Sequence, residues 1–364
     1  MSATTLRRTP IYESHKRLGA RLVDFHGWEL PVQYEGILKE HGAVRQRCGL
    51  FDVSHMGQVF VDGKDSLAFL QKVNTNDIGR LTPGRAVYSH LPNERGGVVD
   101  DVIVSCLAPQ RYLVVVNAAT ADKDFAWFQA HAKGMDVRLA NKSDLYGMIA
   151  LQGPKALSLA AADYPAVAGM KRFCALELDI FGQPSFITTT GYTGEDGLEF
   201  IVPGEIASRL WDDLIAKGRS YGLAPCGLGC RDTLRLEAGY LLYGQDIDDE
   251  HSSLEAGYGW VVKFDKGEFL GKRLFVEQRD RGLKRRMTGL KLTDKGVPRP
   301  GCAVFSGERK LGTLSSATFS PTLGAGIGMG YMDGDAAPGT KLSVELYGRR
   351  LAAEAVKLPF YKKG

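Results

Sequence analysis

Two adjacent carboxylates interrupt an apolar run in the segment GGVVDDVIVS, residues 96–105. If this run is a β-strand, Asp100 and Asp101 point to opposite faces, because successive side chains of a strand alternate. Both faces are otherwise lined by valine and isoleucine, so at least one carboxylate lies where an unpaired charge is costly. Such a group needs a cationic or hydrogen-bonding partner, or a ligand that supplies one. A strand end with both aspartates in water is the alternative, and the local sequence leaves it open.

Polar residues in glycine-rich segments form a second candidate group. In GYTGEDG the glycines allow the backbone to reverse and to approach a ligand closely, with Tyr192 and Glu195 held on the turn. A simple hairpin turn would explain the same glycines. In GLGCRDTLRLEAGYLLYGQDID, Arg231 and Arg235 lie four residues apart and share one helix face. Here an ion pair inside the core is the alternative to ligand binding.

Together with Tyr88 and Asn117, these side chains suit a flat, polar, nitrogen-rich ligand. A glutamate can hold an amino-pyrimidine edge by paired hydrogen bonds, and tyrosines can stack on a ring. An arginine can bind a carboxylate tail.

Motifs for other chemistry are incomplete. DVSH places an aspartate, a serine and a histidine almost adjacent, whereas a catalytic triad needs groups that converge through space. GAGIGMGY has Met329 at the last glycine position of a dinucleotide motif and no helix pattern after it, so close strand packing explains its glycines better. Cys226 and Cys230 of CGLGC lack a second pair. We therefore predict buried thiols near a helix start and no metal.

Composition and charge narrow the class of protein. The 46 Lys and Arg and the 42 Asp and Glu are spread along 364 residues, so the net charge of +4 does not favour nucleic-acid binding. No stretch approaches the roughly 18 consecutive apolar residues of a membrane span, and the N-terminus lacks the apolar core of a secretory signal. We expect a cytoplasmic or mitochondrial-matrix protein, with the cytoplasm preferred.

The helices and strands that must position these residues are predicted to be interspersed along the chain. Residues 12–22 and 36–49 have helical spacing, and residues 66–133 predict helix, strand, strand, strand, helix. Residues 146–222 predict strand, helix, hairpin, helix. Residues 277–289, EQRDRGLKRRMTG, predict a solvated linker, with a docking patch as the alternative. Short β segments from there to the end predict a small C-terminal β-barrel.

Six motifs occur together: VDFHGWELPVQY, GLFDVSHMG, NERGGVVDDVIV, GYTGEDGLEF, GLGCRDTLRLEAGYLLYGQDID and FSPTL. In order and spacing they closely resemble the aminomethyltransferase, or T-protein, family of the glycine cleavage system, from about residue 9 to the C-terminus. A related folate-binding family linked to iron–sulfur assembly carries a KGCYxGQE signature. The corresponding stretch here, YLLYGQDID, lacks that cysteine.

The resemblance implies an α+β fold. The expected architecture is a three-domain cloverleaf, in which two mixed α/β domains surround a central folate funnel and a small β-barrel follows. The expected domains are residues 1–55 with 140–245, residues 56–139 with 246–278, and residues 279–364.

The resemblance also implies a reaction and its residues. The lipoylated H-protein would deliver an aminomethyl group to tetrahydrofolate, with release of ammonia and formation of 5,10-methylenetetrahydrofolate. Asp101 would be the catalytic carboxylate, buried because its partner is the ligand, with Asp100 as a structural neighbour. Glu195 would bind the pterin edge, and Arg231 would hold the folate or support the charge near Asp101. The other expected folate-binding residues are Met56, Tyr88, Asn117, Tyr192, Tyr243, Trp260 and Tyr361.

Two other functions stay open at this point. A folate-dependent demethylase would act on a small methylated compound without a lipoylated carrier. A non-catalytic folate-binding protein would turn over no carrier, although the presence of Asp101 argues against it.

Overall fold

Two compact units make up the computed structural model, which describes residues 5–334 and 336–363. The first unit comprises the described residues up to Leu70, Ile78–Tyr88 and Val102–Asp232. The second comprises Gln71–Asp77, Ser89–Asp101 and the described residues from Thr233 onward. The mixture of helices and strands confirms the expected α+β class. The three domain ranges implied by the resemblance stay a prediction.

Helices and strands are interspersed along the chain. The helices are α1 (Tyr12–Arg17), α2 (Ile37–Gln46), α3 (Ser66–Val73), α4 (Ala121–His131), α5 (Ala156–Asp163), α6 (Gly204–Gly218), α7 (Leu228–Glu237) and α8 (Lys272–Arg281). The strands are β1 (Arg21–Phe25), β2 (Trp28–Gln33), β3 (Cys48–Asp52), β4 (Gly57–Asp62), β5 (Arg85–Pro92), β6 (Val98–Ala108), β7 (Arg111–Val116), β8 (Arg138–Asn141), β9 (Tyr146–Gln152), β10 (Ala175–Ile180), β11 (Gln183–Thr188), β12 (Gly197–Pro203), β13 (Leu223–Cys226), β14 (Arg285–Leu292), β15 (Ala303–Ser306), β16 (Arg309–Ser320), β17 (Ala325–Asp333), β18 (Lys341–Leu346) and β19 (Arg349–Val356). Within the described part of the chain, every helix is too short or too polar to cross a membrane.

The first helix is shorter than the spacing of residues 12–22 predicts. It ends at Arg17, and β1 already begins at Arg21. Between them Gly19 has a φ of 70°. A residue in this left-handed conformation stops a helix, and β1 then pairs antiparallel with β2. The predicted helix at 36–49 is confirmed by α2.

A six-stranded sheet with the order β10-β11-β12-β9-β3-β13 lies in the first unit. Its neighbours run antiparallel except β3 and β13, which are parallel. Helix α6 packs against β9, β12 and β13, and its Trp211 is fully buried. This sheet positions two candidate segments: the turn between β11 and β12 carries Glu195, and β13 leads directly into α7 with Arg231.

A five-stranded sheet has the order β5-β6-β7-β4-β8. Its strands β5 and β6 each belong partly to both units, because the division falls after Tyr88 and after Asp101. The predicted series helix, strand, strand, strand, helix is confirmed by α3, β5, β6, β7 and α4. Strand β6 carries the aspartate pair.

A closed barrel with the order β14-β17-β16-β15-β18-β19 confirms the predicted C-terminal β-barrel. The GAGIGMGY segment forms β17, and its glycines allow close strand packing. A Cβ atom on Gly330 would lie 2.1 Å from the carbonyl oxygen of Thr313, and one on Gly328 would lie 2.8 Å from Leu314. This confirms the structural interpretation of these glycines.

The predicted linker at residues 277–289 was wrong. Helix α8 covers Lys272–Arg281, and β14 begins at Arg285 as a barrel strand that pairs with β17 and β19. The many charged residues predicted a solvated linker, but several of these residues lie on the surface of a helix. Helix α8 buries Phe275 on its apolar side, and Arg273 and Glu277 form an ion pair on its surface. Gly282, with a φ of 82°, ends the helix before the strand.

Candidate active site

The aspartate pair lies near the start of β6, in the second unit. Asp100 is fully buried, whereas Asp101 is partly exposed; burial of Asp101 by a bound ligand stays a prediction. The difference in exposure arises from the alternation of faces. The face of Asp100 is covered along its length, since Val98, Val102 and Val104 are also buried, but the face of Asp101 is partly open.

The start of β6 is held by a later segment of the second unit. The backbone N–H of Val98 donates to the carbonyl oxygen of Asp248 at 2.9 Å. The side-chain amide of Asn93 donates to the carbonyl oxygen of Asp249, also at 2.9 Å. These bonds fix the backbone that presents Asp101.

The turn that carries Glu195 is rigid. Gly194 has a φ of 83°, which favours glycine, and a Cβ atom on Gly191 would lie 1.9 Å from the side-chain oxygen of Gln152. The hydroxyl of Thr193 donates to that oxygen at 2.9 Å. In turn it accepts the backbone N–H of Glu195 at 3.2 Å. Close approach to Gln152 therefore requires the glycine, whereas the close approach to a ligand that the motif indicated stays a prediction.

Arg45, at the end of α2, contacts this turn and was missed by the sequence analysis. Its Nη1 donates to Oε1 of Glu195 at 2.8 Å and to the carbonyl oxygen of Thr193 at 2.7 Å. Only 7% of the Arg45 side chain and 1% of the Glu195 side chain are exposed. The two residues are 150 positions apart, and no local pattern links them.

Arg231 and Tyr192 are brought together in the first unit. The guanidinium carbon of Arg231 lies 4.9 Å from the centre of the Tyr192 ring, which is cation–π distance. Burial raises the pKa of the Glu199 carboxyl, whereas the hydroxyl of Thr190 and the charge of Arg231 oppose that rise. Arg231 thus faces both an aromatic ring and a buried carboxyl.

His55 is a buried, neutral imidazole in the same unit. The pKa of His55 is lowered to about 3, mainly by burial and also by the charge of Arg231, while the charge of Asp52 opposes the shift. Its Nδ1 has no hydrogen-bond partner among the described residues. The neighbouring Ser54 hydroxyl donates to the carbonyl oxygen of Met148. DVSH therefore does not form a triad, as the sequence analysis predicted.

A buried polar network lies beneath the DVSH segment. Oδ2 of Asp52 accepts the Thr9 hydroxyl at 2.6 Å and lies 2.8 Å from Nε2 of His15. The other ring nitrogen of His15 lies 2.8 Å from the Tyr34 hydroxyl. Oδ1 of Asp52 accepts the backbone N–H of Ser54. The network fixes the turn that leads to Met56, one of the expected folate-binding residues.

The remaining expected residues fall in both units. Met56, Tyr88 and Asn117 are partly buried in the first unit. In the second unit the Tyr243 hydroxyl donates to Asp249 at 3.2 Å, and the backbone N–H of Tyr361 donates to the carbonyl oxygen of Glu237. Trp260, also in this unit, is 54% exposed.

Arg235 and Glu237, which share α7 with Arg231, have structural roles in the second unit. Arg235 pairs with Asp246 at 2.7 Å, with side chains 1% and 0% exposed, and donates to the Ser316 hydroxyl. Glu237 accepts hydrogen bonds from Ser320 and Thr322. For Arg235 the alternative of a buried ion pair is confirmed.

Glu40, Cys226 and Cys230 place three potential metal ligands within 4.8 Å of one another. The Glu40 carboxylate is already used, since it accepts the backbone N–H groups of Tyr34, Gly36 and Gly227. Burial raises the pKa of Cys230 well above its ordinary value, so this thiol stays protonated. The donor set fits a structural cluster better than a metal site, and the absence of a metal stays a prediction.

Known proteins resemble this chain along nearly its whole length. Residues 11–266 match the family described as the GCVT N-terminal domain, and residues 285–362 match the glycine cleavage T-protein C-terminal barrel domain. An aminomethyltransferase from Bacillus subtilis (strain 168) is 46% identical over 365 residues, covering 98% of this chain and all of that protein. One from Halothermothrix orenii is 44% identical over 357 residues, again covering 98% of this chain and all of that protein. A crystal structure of glycine cleavage system aminomethyltransferase T from Bartonella henselae has a TM-score of 0.93 to this chain at 35% identity, covering 98% of each chain.

Proposed function

Because this chain belongs to the glycine cleavage T-protein family of aminomethyltransferases, we propose that it transfers an aminomethyl group from the dihydrolipoyl arm of H-protein to tetrahydrofolate. The single observation that carries this proposal is the full-length match to relatives of one activity. Tetrahydrofolate is the co-substrate of this family, and the lipoylated H-protein is the proposed partner.

The reaction forms two carbon–nitrogen bonds at one methylene carbon. The carbon–sulfur bond and the carbon–amine bond of the aminomethyl group break, and N5 and N10 of the folate each bond to that carbon. The two protons from these nitrogens pass to the amine and to the sulfur, so that ammonia, reduced lipoyl and 5,10-methylenetetrahydrofolate result. No external oxidant is needed.

Asp101 is the proposed catalytic carboxylate. It lies on the partly open face of β6, while Asp100 is enclosed on the other face. A carboxylate beside the electron-poor methylene would stabilise its iminium-like charge and help to remove the N10 proton. Asp100 would keep a structural role.

Glu195 is the proposed ligand of the pterin edge. Its Oε1 accepts a hydrogen bond from Arg45, and only 1% of its side chain is exposed. A carboxylate with free lone pairs can accept two N–H groups of an amino-pyrimidine ring. Arg231 would bind the folate. Further folate contacts are proposed for Met56, Tyr88, Asn117, Tyr192, Tyr243, Trp260 and Tyr361.

The proposal is tested by turnover of the purified protein with tetrahydrofolate and aminomethylated, lipoylated H-protein. Asp101→Asn should lower the formation of 5,10-methylenetetrahydrofolate by about 100-fold or more, because general acid–base groups contribute on that scale. Folate affinity should change little, since the shape of the side chain is kept. Asp122→Asn, at an exposed aspartate of α4, is the matched control. Unchanged turnover in Asp101→Asn would remove the catalytic assignment.

The carrier requirement separates this function from that of a folate-dependent demethylase. A T-protein should lose turnover when unlipoylated H-protein replaces the lipoylated form. Turnover of a free methylated compound in the absence of any carrier would instead support the demethylase.

A further inference from the structure

We propose that Arg45 is a positioning residue for the folate site, which acts through Glu195 and selects ligands whose ring edge presents two N–H donors. This inference rests on the proposed role of Glu195. It adds a residue of α2 that lies outside every motif that indicated the site.

The geometry ties the carboxylate to the backbone of its own turn. One nitrogen of Arg45, Nη1, donates both to Oε1 of Glu195 at 2.8 Å and to the carbonyl oxygen of Thr193 at 2.7 Å. The guanidinium therefore limits rotation of the Glu195 side chain relative to the turn. The planar donor group of arginine suits this double contact better than a flexible ammonium does.

Stability of the turn does not require this ion pair. The same turn is already held by the hydrogen bonds that connect Gln152, Thr193 and the backbone of Glu195. Removing two charges from water is costly, and buried pairs often add nothing to stability compared with apolar residues. A buried ion pair that the turn does not need points instead to ligand binding.

The charge of Arg45 also decides which ligands Glu195 accepts. The oxygens of a carboxylate accept hydrogen bonds, and each has two lone pairs. Arg45 occupies one lone-pair direction of Oε1, which leaves both oxygens able to accept from a ligand. A 2-amino-4-oxo pyrimidine ring offers two N–H donors on one edge. A ring without the 2-amino group offers one, so it should bind more weakly.

The test compares folate affinity in five variants, measured by calorimetry with tetrahydrofolate under reducing conditions. Arg45→Met should weaken binding by about 10- to 100-fold, the usual range for loss of a charged hydrogen bond. Arg45→Lys, which restores the charge, should recover part of this loss. The KM for H-protein should stay within about twofold of wild type. Arg47→Met, at an exposed arginine two residues further on, is the control that should bind normally.

A double variant, Arg45→Met with Glu195→Gln, shows whether Arg45 acts through Glu195. If it does, the double variant binds folate no more weakly than Glu195→Gln alone, because the contribution of Arg45 to binding depends on the Glu195 carboxylate. Likewise, removal of the 2-amino group from the ligand should cost less affinity in Arg45→Met than in wild type. A merely structural role of Arg45 would produce neither result.

The possible contrary results bear either on the role of Arg45 alone or also on the proposed role of Glu195. Normal folate affinity in Arg45→Met, or losses that multiply in the double variant, would overturn the role of Arg45 and leave the proposed function intact. Normal affinity in Glu195→Gln would overturn both the pterin assignment and this inference. If Arg45→Met does not fold, Arg45→Lys takes its place: full folate affinity in Arg45→Lys, or weakened binding with an undiminished preference for the 2-amino group, would decide against the inference.

Discussion

At the scale of single residues, the two adjacent aspartates differ in burial, and we therefore expect them to have different roles. Asp100 is fully buried and Asp101 is partly exposed. Asp100→Ala should therefore reduce the free energy of unfolding by about 1–3 kcal/mol, since its buried partners lose their acceptor. Asp101→Ala should reduce it less but abolish most turnover. Urea unfolding at neutral pH, combined with the turnover assay, checks both. Equal loss of stability in the two variants would contradict this division.

His90 should make the protein sensitive to acid. It is fully buried in the second unit, its Nδ1 lies 2.8 Å from the Ser253 hydroxyl, and burial lowers the pKa of His90 to about 3. In the unfolded chain a histidine has a pKa near 6.5. Between these values the unfolded state binds the extra proton, so the stabilising contribution is complete above about pH 6.5 and is lost as the pH falls toward 3.

His90→Asn, which can keep the bond to Ser253, should flatten this pH dependence. The loss of unfolding free energy between pH 6 and pH 5 should shrink by about 1.4 kcal/mol per pH unit. Urea unfolding at both pH values measures the slope, which is informative even if the variant is less stable overall. An unchanged slope would mean that His90 is not the group responsible.

Glu195 could be identified from the sequence, whereas Arg45 could not. The turn around Glu195 has a local signature, because glycine is required where the backbone approaches Gln152. Arg45 reaches this turn from 150 residues away, and its spacing in α2 is that of any helical arginine. The degree of burial of Asp101 also depended on how the rest of the chain covers β6, which alternation alone does not reveal.

At the scale of elements, the end of α7 binds the segment between β16 and β17. Glu237 accepts hydrogen bonds from the hydroxyl of Ser320 and from the backbone N–H and the hydroxyl of Thr322. Glu237→Leu should leave these donors unpaired and reduce the free energy of unfolding by about 3 kcal/mol or more. Glu308→Leu, at an exposed turn of the barrel, should have little effect. Similar urea midpoints for the two variants would show that this contact does not stabilise the protein.

Local hydrophobic patterns predicted helices and strands well where an element has one buried and one exposed face. They also predicted strands in the interior of a sheet well. Helix α3, at 66–73, and strand β5, at 85–92, are the first two elements of the predicted series. Strand β10 was missed because it lies at the edge of its sheet, and its partly exposed residues weaken the apolar signal. Helix α8 was missed because charged residues outnumber its buried Phe275. These errors arise where tertiary contacts outweigh local composition.

At the scale of the whole molecule, the chain passes between its two units after residues 70, 77, 88, 101 and 232. The β-barrel belongs to the second unit together with the segment that begins at Thr233. The sequence pattern predicted the barrel, because short strands with glycine turns are locally recognisable. It did not indicate these crossings, which depend on contacts between residues far apart in the chain.

Hydrogen bonds connect the barrel with residues 233–278. We therefore expect the second unit to unfold in one cooperative transition. Asp246 accepts hydrogen bonds from Arg235 and Ser316 with its carboxylate and from the Tyr331 hydroxyl with its carbonyl oxygen. A chain that ends at residue 278 would keep Arg235 and Asp246 but lose their barrel partners, and unpaired buried polar groups are costly. We expect this fragment to lose slow hydrogen exchange across residues 233–278, and co-expression with residues 279–364 should restore it. Native-like protection in the fragment alone would instead support an independent barrel domain with the boundary at residue 279.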